Sequence, residues 1–421
     1  MEVKSSYKQT EVGAIPHDWE VKSVRELAQI KTGPFGTLLK ASEYAGAEGV
    51  PLISVGEVGA GRFKITEHTP LVPAVVVRRL PQYVLRTGDI VFGRKGAVER
   101  SALVTENEDG WFLGSDGIGV RPRTECFPPY LSCQFQRHAV QTWLLQNATG
   151  TTMPSLNQAI LGNVQIPYAP ISEQRAIAAA LSDVDALLAG LDRLISKKRD
   201  IKQAAMQQLL TGQTRLPGFQ GEWETRPLKV VAEISAGINK PLSEMGRGAL
   251  YVTVQDLYDG TSIRTDRLSR IKVSPAEIEA KGLAAGDIVF GKSSVKREGI
   301  GYPSIFLGCA EAAVFSGFTY RARARNGIAD ATFLFYALRS ERTRRWLIDN
   351  SQASALTNIN QKIADAIPIQ VPPQITEQSA IATVLSNMDA ELTALEARRD
   401  KTRALKQGMM QELLTGRTRL V

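Results

Sequence analysis

Cysteine is scarce in this 421-residue chain, and long apolar runs are missing. Cys126, Cys133 and Cys309 are too few and too scattered for a disulfide framework. Cys133 with His138 supplies two ligands where structural zinc takes four, so no metal site is expected. No apolar stretch approaches the roughly 20 residues of a membrane span. The start, Met1-Glu2-Val3-Lys4-Ser5-Ser6, lacks the apolar core of a secretory signal. A cytoplasmic protein without membrane contact is predicted. Gly286–Ser293 spells Gly-x-x-x-x-Gly-Lys-Ser, but its middle is the apolar strand run Ile288-Val289-Phe290 and not a phosphate-cradling loop, and no Gly-x-Gly turn follows a strand in a way that suits a nucleotide or adenosyl cofactor. No cofactor site is expected.

What is present describes a folded, water-soluble chain of two or three domains, because 43% hydrophobic and 22% charged residues are ordinary globular values at a length of 421. Lys and Arg outnumber Asp and Glu by 51 to 43, a net charge of +8. That balance suits a polyanionic partner and equally a basic enzyme.

The architecture follows from an internal repeat. Ile171-Ser172-Glu173-Gln174 recurs as Ile375-Thr376-Glu377-Gln378, and Leu209-Leu210-Thr211-Gly212-Gln213-Thr214-Arg215-Leu216 as Leu413-Leu414-Thr415-Gly416-Arg417-Thr418-Arg419-Leu420, both at a shift of 204. Trp19-Glu20 matches Trp223-Glu224 at the same shift, whereas Gly88-Asp89-Ile90-Val91-Phe92-Gly93 matches Gly286-Asp287-Ile288-Val289-Phe290-Gly291 at 198. Changes of shift locate loops of variable length. Gln9-Thr10 matches Gln213-Thr214, so the repeat is nearly circular.

The expected segments are an N-terminal tail, 1–19, packing near the C-terminus; a globular domain, 20–169; a central helix, 170–212; a linker, 213–223; a second globular domain, 224–373; and a distal helix, 374–421. Short β-branched and aromatic runs between Gly, Pro and Asp make the globular parts α+β. Ser172 and Thr376 are expected N-caps, with Glu173 and Glu377 favoured by the first-turn dipole, and Gly212 and Gly416 suit helix ends. Leu181, Val184, Leu188, Leu191 and Ile195 step by three and four residues, as do Leu385, Met388, Leu392 and Leu395. These heptad seams predict an antiparallel two-helix coiled coil between two tandem-repeated domains, with pseudo-two-fold symmetry.

Catalytic constellations are weak. Phe127-Pro128-Pro129-Tyr130 has the Pro-Pro-Tyr of an amino-methyltransferase, but Phe127 offers no acceptor for the target amine, and the segment is expected to be a loop. Asp266, Glu279 and Lys281 superficially suit a Mg²⁺ nuclease. Ser274-Pro275 instead marks the start of a solvated helix there.

Cations are more telling. Gly93-Arg94-Lys95-Gly96 and Gly291-Lys292-Ser293-Ser294 each set a cation directly after an apolar strand. Arg94, Lys95 and Lys292 are candidate phosphate contacts, with simple solvent exposure as the rival reading. Two domains that read different sequences would share phosphate contacts and differ in base contacts. Unshared Arg78, Arg79 and Arg100, and Lys296, Arg297, Arg321, Arg323 and Arg325, are the base-reading candidates. Arg321, Arg323 and Arg325 would line one strand face, which a salt-bridged strand would also explain. The shared Asn157-Gln158 and Asn360-Gln361 could reach adenine, but identity in both copies favours a turn or cap.

Taken together, Tyr7-Lys8-Gln9-Thr10-Glu11-Val12-Gly13, Ile15-Pro16-His17-Asp18-Trp19, the Gly-Asp-Ile-Val-Phe-Gly strands, the Ser/Thr-Glu-Gln helix starts and the duplicated Leu-Leu-Thr-Gly-x-Thr-Arg-Leu resemble the specificity subunit of type I restriction-modification systems. The resemblance covers essentially the whole chain. It implies two target recognition domains, each reading half of a bipartite double-stranded DNA sequence, and helical regions that dock two modification (methyltransferase) subunits. The chain itself would be non-catalytic. S-adenosylmethionine would belong to the modification subunits, and ATP and Mg²⁺ to translocating restriction subunits. The alternatives are a specificity subunit for a fused methyltransferase-nuclease and, from another class, a Mg²⁺-dependent DNA nuclease.

Overall fold

A computed structural model of the chain describes residues 6–44, 48–150, 152–258, 260–353 and 356–420; the first five residues of the tail and the last of the distal segment lie outside that set. The chain divides into two units, Met1–Leu191 with Arg398–Val421, and Asp192–Ala397. In the first, strands β1 (Ala28–Thr32), β2 (Ile90–Gly93), β3 (Ser101–Leu103) and β4 (Gly117–Pro122) pair antiparallel in the order β1-β4-β2-β3. In the second, β5 (Ala232–Ala236), β6 (Ile288–Gly291), β7 (Pro303–Ile305) and β8 (Thr319–Ala324) repeat that order as β5-β8-β6-β7.

The repeated Gly-Asp-Ile-Val-Phe-Gly explains the strand at the heart of each sheet. Gly88 and Gly286 take positive φ values of 95° and 90°, which glycine adopts without a Cβ clash. Asp89 and Asp287 then fold back on the turn, their Oδ2 atoms accepting from the backbone N–H of Arg86 and Ala284 at 2.9 and 2.7 Å. The four residues that follow are all buried, hence the unbroken apolar run. Phe92 packs edge-on against Phe135 with ring centroids 4.8 Å apart, and Phe290 tilts against Tyr320 at 5.6 Å.

Each unit adds a mixed three-stranded sheet, Val50–Ile53 between Leu71–Val72 and Phe112–Leu113, and Met245–Val252 between Ser269–Ile271 and Ala313–Phe315. A two-stranded ladder closes each globular part: Glu20–Ser23 with Gln165–Tyr168, and Glu224–Pro227 with Pro368–Val371. It lays the entry to each globular part beside the strand that leads into a long helix.

The long helices are Ile171–Leu209 and Ile375–Leu413, each of 39 residues. Leu181, Leu191, Ile195, Leu385 and Leu392 are at most 8% exposed, and Val184, Leu188, Met388 and Leu395 are half-buried. In the first unit Lys406 pairs with Asp185 at 2.7 Å; in the second Lys198 pairs with Glu391 at 2.7 Å, Lys202 with Asp389 and Arg199 with Glu396. Rising numbers on one helix meet falling numbers on the other, so the pair is antiparallel. The expected N-caps are corrected: the helices begin at Ile171 and Ile375, because the Gln174 and Gln378 N–H groups already donate to the Pro170 and Gln374 carbonyls. Ser172 and Thr376 are therefore inside the first turn.

Nor do Glu173 and Glu377 merely face a helix dipole in solvent. Their carboxylates are fully buried. In the first unit Trp19 Nε1 donates to Glu173 at 2.9 Å, and Arg419 grips the same carboxylate at 2.7 and 2.8 Å while also bonding Asp18. Tyr7 Oη donates to the Gly416 carbonyl at 2.9 Å, tying the hairpin formed by Tyr7–Thr10 and Gly13–Pro16 to the turn after the second long helix. In the second unit Arg215 holds Glu377 at 2.6 and 2.7 Å. Gln174 Oε1 accepts from Phe127 N–H and Gln378 Oε1 from Asp330 N–H, at 2.8 and 2.9 Å. The duplicated Glu-Gln and Thr-Arg-Leu signatures are thus the two halves of one anchoring device.

Candidate nucleic-acid interface

The two cations after the buried strands sit in identical backbone cradles. Arg94 N–H donates to the Asp116 carbonyl at 2.7 Å and its own carbonyl accepts from Leu156 N–H at 2.8 Å. Lys292 N–H donates to the Phe318 carbonyl at 2.9 Å and its carbonyl accepts from Ile359 N–H at 2.9 Å. This accounts for the shared Leu/Ile-Asn-Gln: its first residue clamps the cation's backbone, and the amide caps a short helix. Asn157 Oδ1 accepts from Ile160 N–H and Asn360 Oδ1 from Ile363 N–H, at 2.8 and 2.9 Å. Both side chains are half-buried against rings, Arg94 lying 5.8 Å from the Phe35 centroid and Lys292 4.5 Å from that of Tyr320. Burial, then the nearby Lys281 charge, holds the Lys292 pKa below the usual lysine value.

A second loop is pressed against each cradle. A Cβ on Gly33 would stand 1.8 Å from the Gly114 carbonyl oxygen, and one on Gly237 2.1 Å from that of Phe315. Only glycine permits that approach, and it sets Gly33, two residues before Phe35, against the backbone of Gly114 and Ser115, and Asn239 beside Gly317. Around these lips lie large apolar side chains in the open: Phe35 and Leu38 in the first unit, Leu242, Val295 and Phe318 in the second. Attention to charge alone missed them. The sequence signal was an aromatic or aliphatic residue isolated among Gly, Pro and Ser, with no periodic neighbours to bury it.

The candidate cations divide. Lys95 is exposed and 3.6 Å from Asp116. Arg78 and Lys296 are exposed, and their side chains make no hydrogen bond or ion pair among the described residues. Arg79 is tied to Glu43 at 2.7 Å, Arg100 lies 3.5 Å from Glu99, and Arg297 reaches the Ile348 carbonyl at 3.3 Å. Two assignments need correction. Arg321 is 3% exposed, donating to the Gly282 carbonyl and to Glu233, so a base edge cannot reach it. Arg323 grips buried Asp287 with two bonds of 2.7 Å. It also has a counterpart, since Arg121 grips Asp89 at 2.7 and 2.6 Å, so it is a shared strut of the sheet. Arg325 follows the strand and donates to the Lys229 carbonyl at 3.4 Å.

The nuclease constellation is not assembled. Ser274 caps the helix Pro275–Lys281 by accepting from Glu277 N–H, Glu279 is exposed on it, and Asp266 is occupied by Arg264 at 2.9 Å. Among the described residues no group of three or more His, Cys, Asp or Glu side chains could hold a metal ion, and no helix is long and apolar enough to cross a membrane. The Pro-Pro-Tyr segment is not a loop: Pro128 opens the helix Pro128–Phe135, and buried Tyr130 donates to the Pro167 carbonyl at 2.7 Å.

The family model described as "Type I restriction modification DNA specificity domain" matches twice, over residues 16–197 and 220–403. This chain belongs to that family. It is a type I restriction-modification specificity subunit, a non-catalytic chain with two recognition domains. Over 442 residues it is 23% identical to the MjaX type I restriction enzyme specificity subunit of Methanocaldococcus jannaschii, whose own name marks that assignment as provisional; the match covers 99% of this chain and 97% of the relative. Among solved structures, the type I system S subunit of M. genitalium superposes with a TM-score of 0.60 at 14% identity, covering 98% of each chain. A chain from work on complex assembly and conformational transition of the type I system gives 0.57 at 16% identity, covering 96% of this chain and 99% of that one. At those identities the structural likeness supports the specificity-subunit fold.

Proposed function

We propose that each unit of this specificity subunit binds one half of a bipartite double-stranded DNA target, with Arg94 and Lys292 as equivalent phosphate contacts and the dissimilar lips around them as base readers. The observation that carries this is the pair of identical cradles: the same backbone bonds hold a cation in both units, while the side chains beside it differ. Shared contacts position and unshared contacts discriminate. Arg94→Ala and Lys292→Ala are each expected to weaken binding to all sequences in similar proportion and to lower the salt slope by about one. Loss confined to one base position, with the slope unchanged, contradicts the assignment.

In this reading two modification subunits dock on the helices, and the methyl donor S-adenosylmethionine, with ATP and Mg²⁺ for any restriction subunits, belongs to those partners. Ile201 and Leu405 support two equivalent docking places. They are counterparts at the shift of 204, and both are exposed, at 43% and 60%, outside seams whose residues are buried or half-buried. Ile201→Glu or Leu405→Glu is expected to reduce the number of bound modification subunits from two to one, read by mass photometry of the assembled complex. Unchanged stoichiometry in both variants refutes the docking assignment.

A further inference from the structure

The second unit contains a cleft of about 1230 Å³ whose rim is unlike anything a folded chain needs for itself. Leu242, Val295 and Phe318 line it while 90%, 86% and 62% exposed. Large apolar groups clustered in the open mark a binding surface. Cations stand among them: Lys296 and Lys240 line the same cleft, the latter held by Glu277 at 2.9 Å, against one lining carboxylate, Glu298, and Lys292 follows the strand that leads to it. An apolar rim set among lysines matches a ligand that combines phosphate with exposed methyl groups.

The equivalent place in the first unit narrows this further. Phe318 and Asp116 occupy one structural address, since each offers its carbonyl to the cradled cation. One unit therefore presents an aromatic ring where the other presents a carboxylate paired with Lys95. Backbone position is shared and chemistry is not, as expected of a group that discriminates bases rather than one that positions the duplex. In the major groove the only apolar feature of a base edge is the C5-methyl group of thymine, and phenylalanine is among the residues that contact it.

We infer that Phe318 and Val295 make the second unit select a thymine in its half-site through the C5-methyl group. The inference rests on the reading that this unit binds duplex DNA. The test uses the full chain assembled with its modification subunits and a duplex carrying its own methylated motif. Each thymine is replaced in turn by deoxyuridine, which removes only the methyl group. At one thymine of one half-site the replacement is expected to weaken binding about four-fold, the worth of one buried methyl. Phe318→Ala is expected to bind thymine and uracil duplexes alike at that position, and Val295→Ala to narrow the difference. Both side chains are exposed, so neither variant threatens the fold.

Specific half-site binding with no uracil-sensitive thymine overturns the inference and leaves DNA reading intact. A uracil effect that survives in both variants also overturns it, by placing the contact elsewhere. If Phe318→Ala instead releases a modification subunit, the rim covers a protein and the inference fails. Absence of any sequence-selective DNA binding removes the underlying reading itself.

Discussion

Glu173 accepts from both Trp19 and Arg419, whereas Glu377, among the described residues, accepts from Arg215 alone and Trp223 Nε1 has no partner. Both carboxylates are buried at the start of a long helix, and both are closed by the arginine of a Thr-Arg-Leu segment that is remote in sequence. The difference shows which part of the device is indispensable. The charge pair recurs in both units, because a buried carboxylate without a cation carries a large desolvation cost; the indole bond is an addition to one of them. At the sheets the pairs Arg121–Asp89 and Arg323–Asp287 recur in the same way, and at the lips the sharing stops.

The comparison breaks most visibly if the arginines are removed. Arg215→Ala leaves Glu377 buried with no cation and is expected to destabilise the second unit by about 3–5 kcal/mol. Arg419→Ala is expected to cost less, because Glu173 keeps its indole donor and a hydrogen bond to a charged group contributes about 1.5–3 kcal/mol. Urea unfolding followed by tryptophan fluorescence measures both. A loss for Arg419→Ala that stays equal or larger after the small cost of its exposed Asp18 pair is taken off, read from Asp18→Ala, shows that the Trp19 bond does not support the carboxylate.

A smaller effect sharpens the same contrast. Trp19→Phe deletes a bond to an ionised carboxylate and is expected to cost about 1.5–3 kcal/mol beyond lost packing. Trp223→Phe deletes no bond, and removing its unbonded indole N–H relieves an unsatisfied buried donor. Thermal unfolding of the two variants should therefore show the larger drop for Trp19→Phe. The reverse order contradicts the hydrogen-bond accounting.

Periodicity and duplication made the helices, their seams and the sheet-forming runs legible, because each rests on local spacing repeated twice. The pairing of Glu173 with Arg419, and of Glu377 with Arg215, was not legible. It joins segments far apart in sequence, and the local pattern offers either arginine to either carboxylate. Arg323 was misread as unshared for a related reason: its strand matches the first copy at a shift of 202 while the Gly-Asp strand matches at 198, so alignment on one shift hid Arg121. Arg321 looked available because strand alternation says which residues share a face and not what covers it; the carbonyl of Gly282 lies there. Phe318 and Val295 were invisible to a search led by charge, since their exposure is a product of the loops that hold them.

Sequencing the methylated positions in DNA modified by the chain with its modification subunits tests the central claim, that two units read two half-sites through their own lips. The account predicts a bipartite motif for the wild type. It predicts that the double variant Val295→Ser, Phe318→Asp alters one half of that motif and leaves the other half and the spacer unchanged. A continuous motif, or a change in both halves, would contradict it.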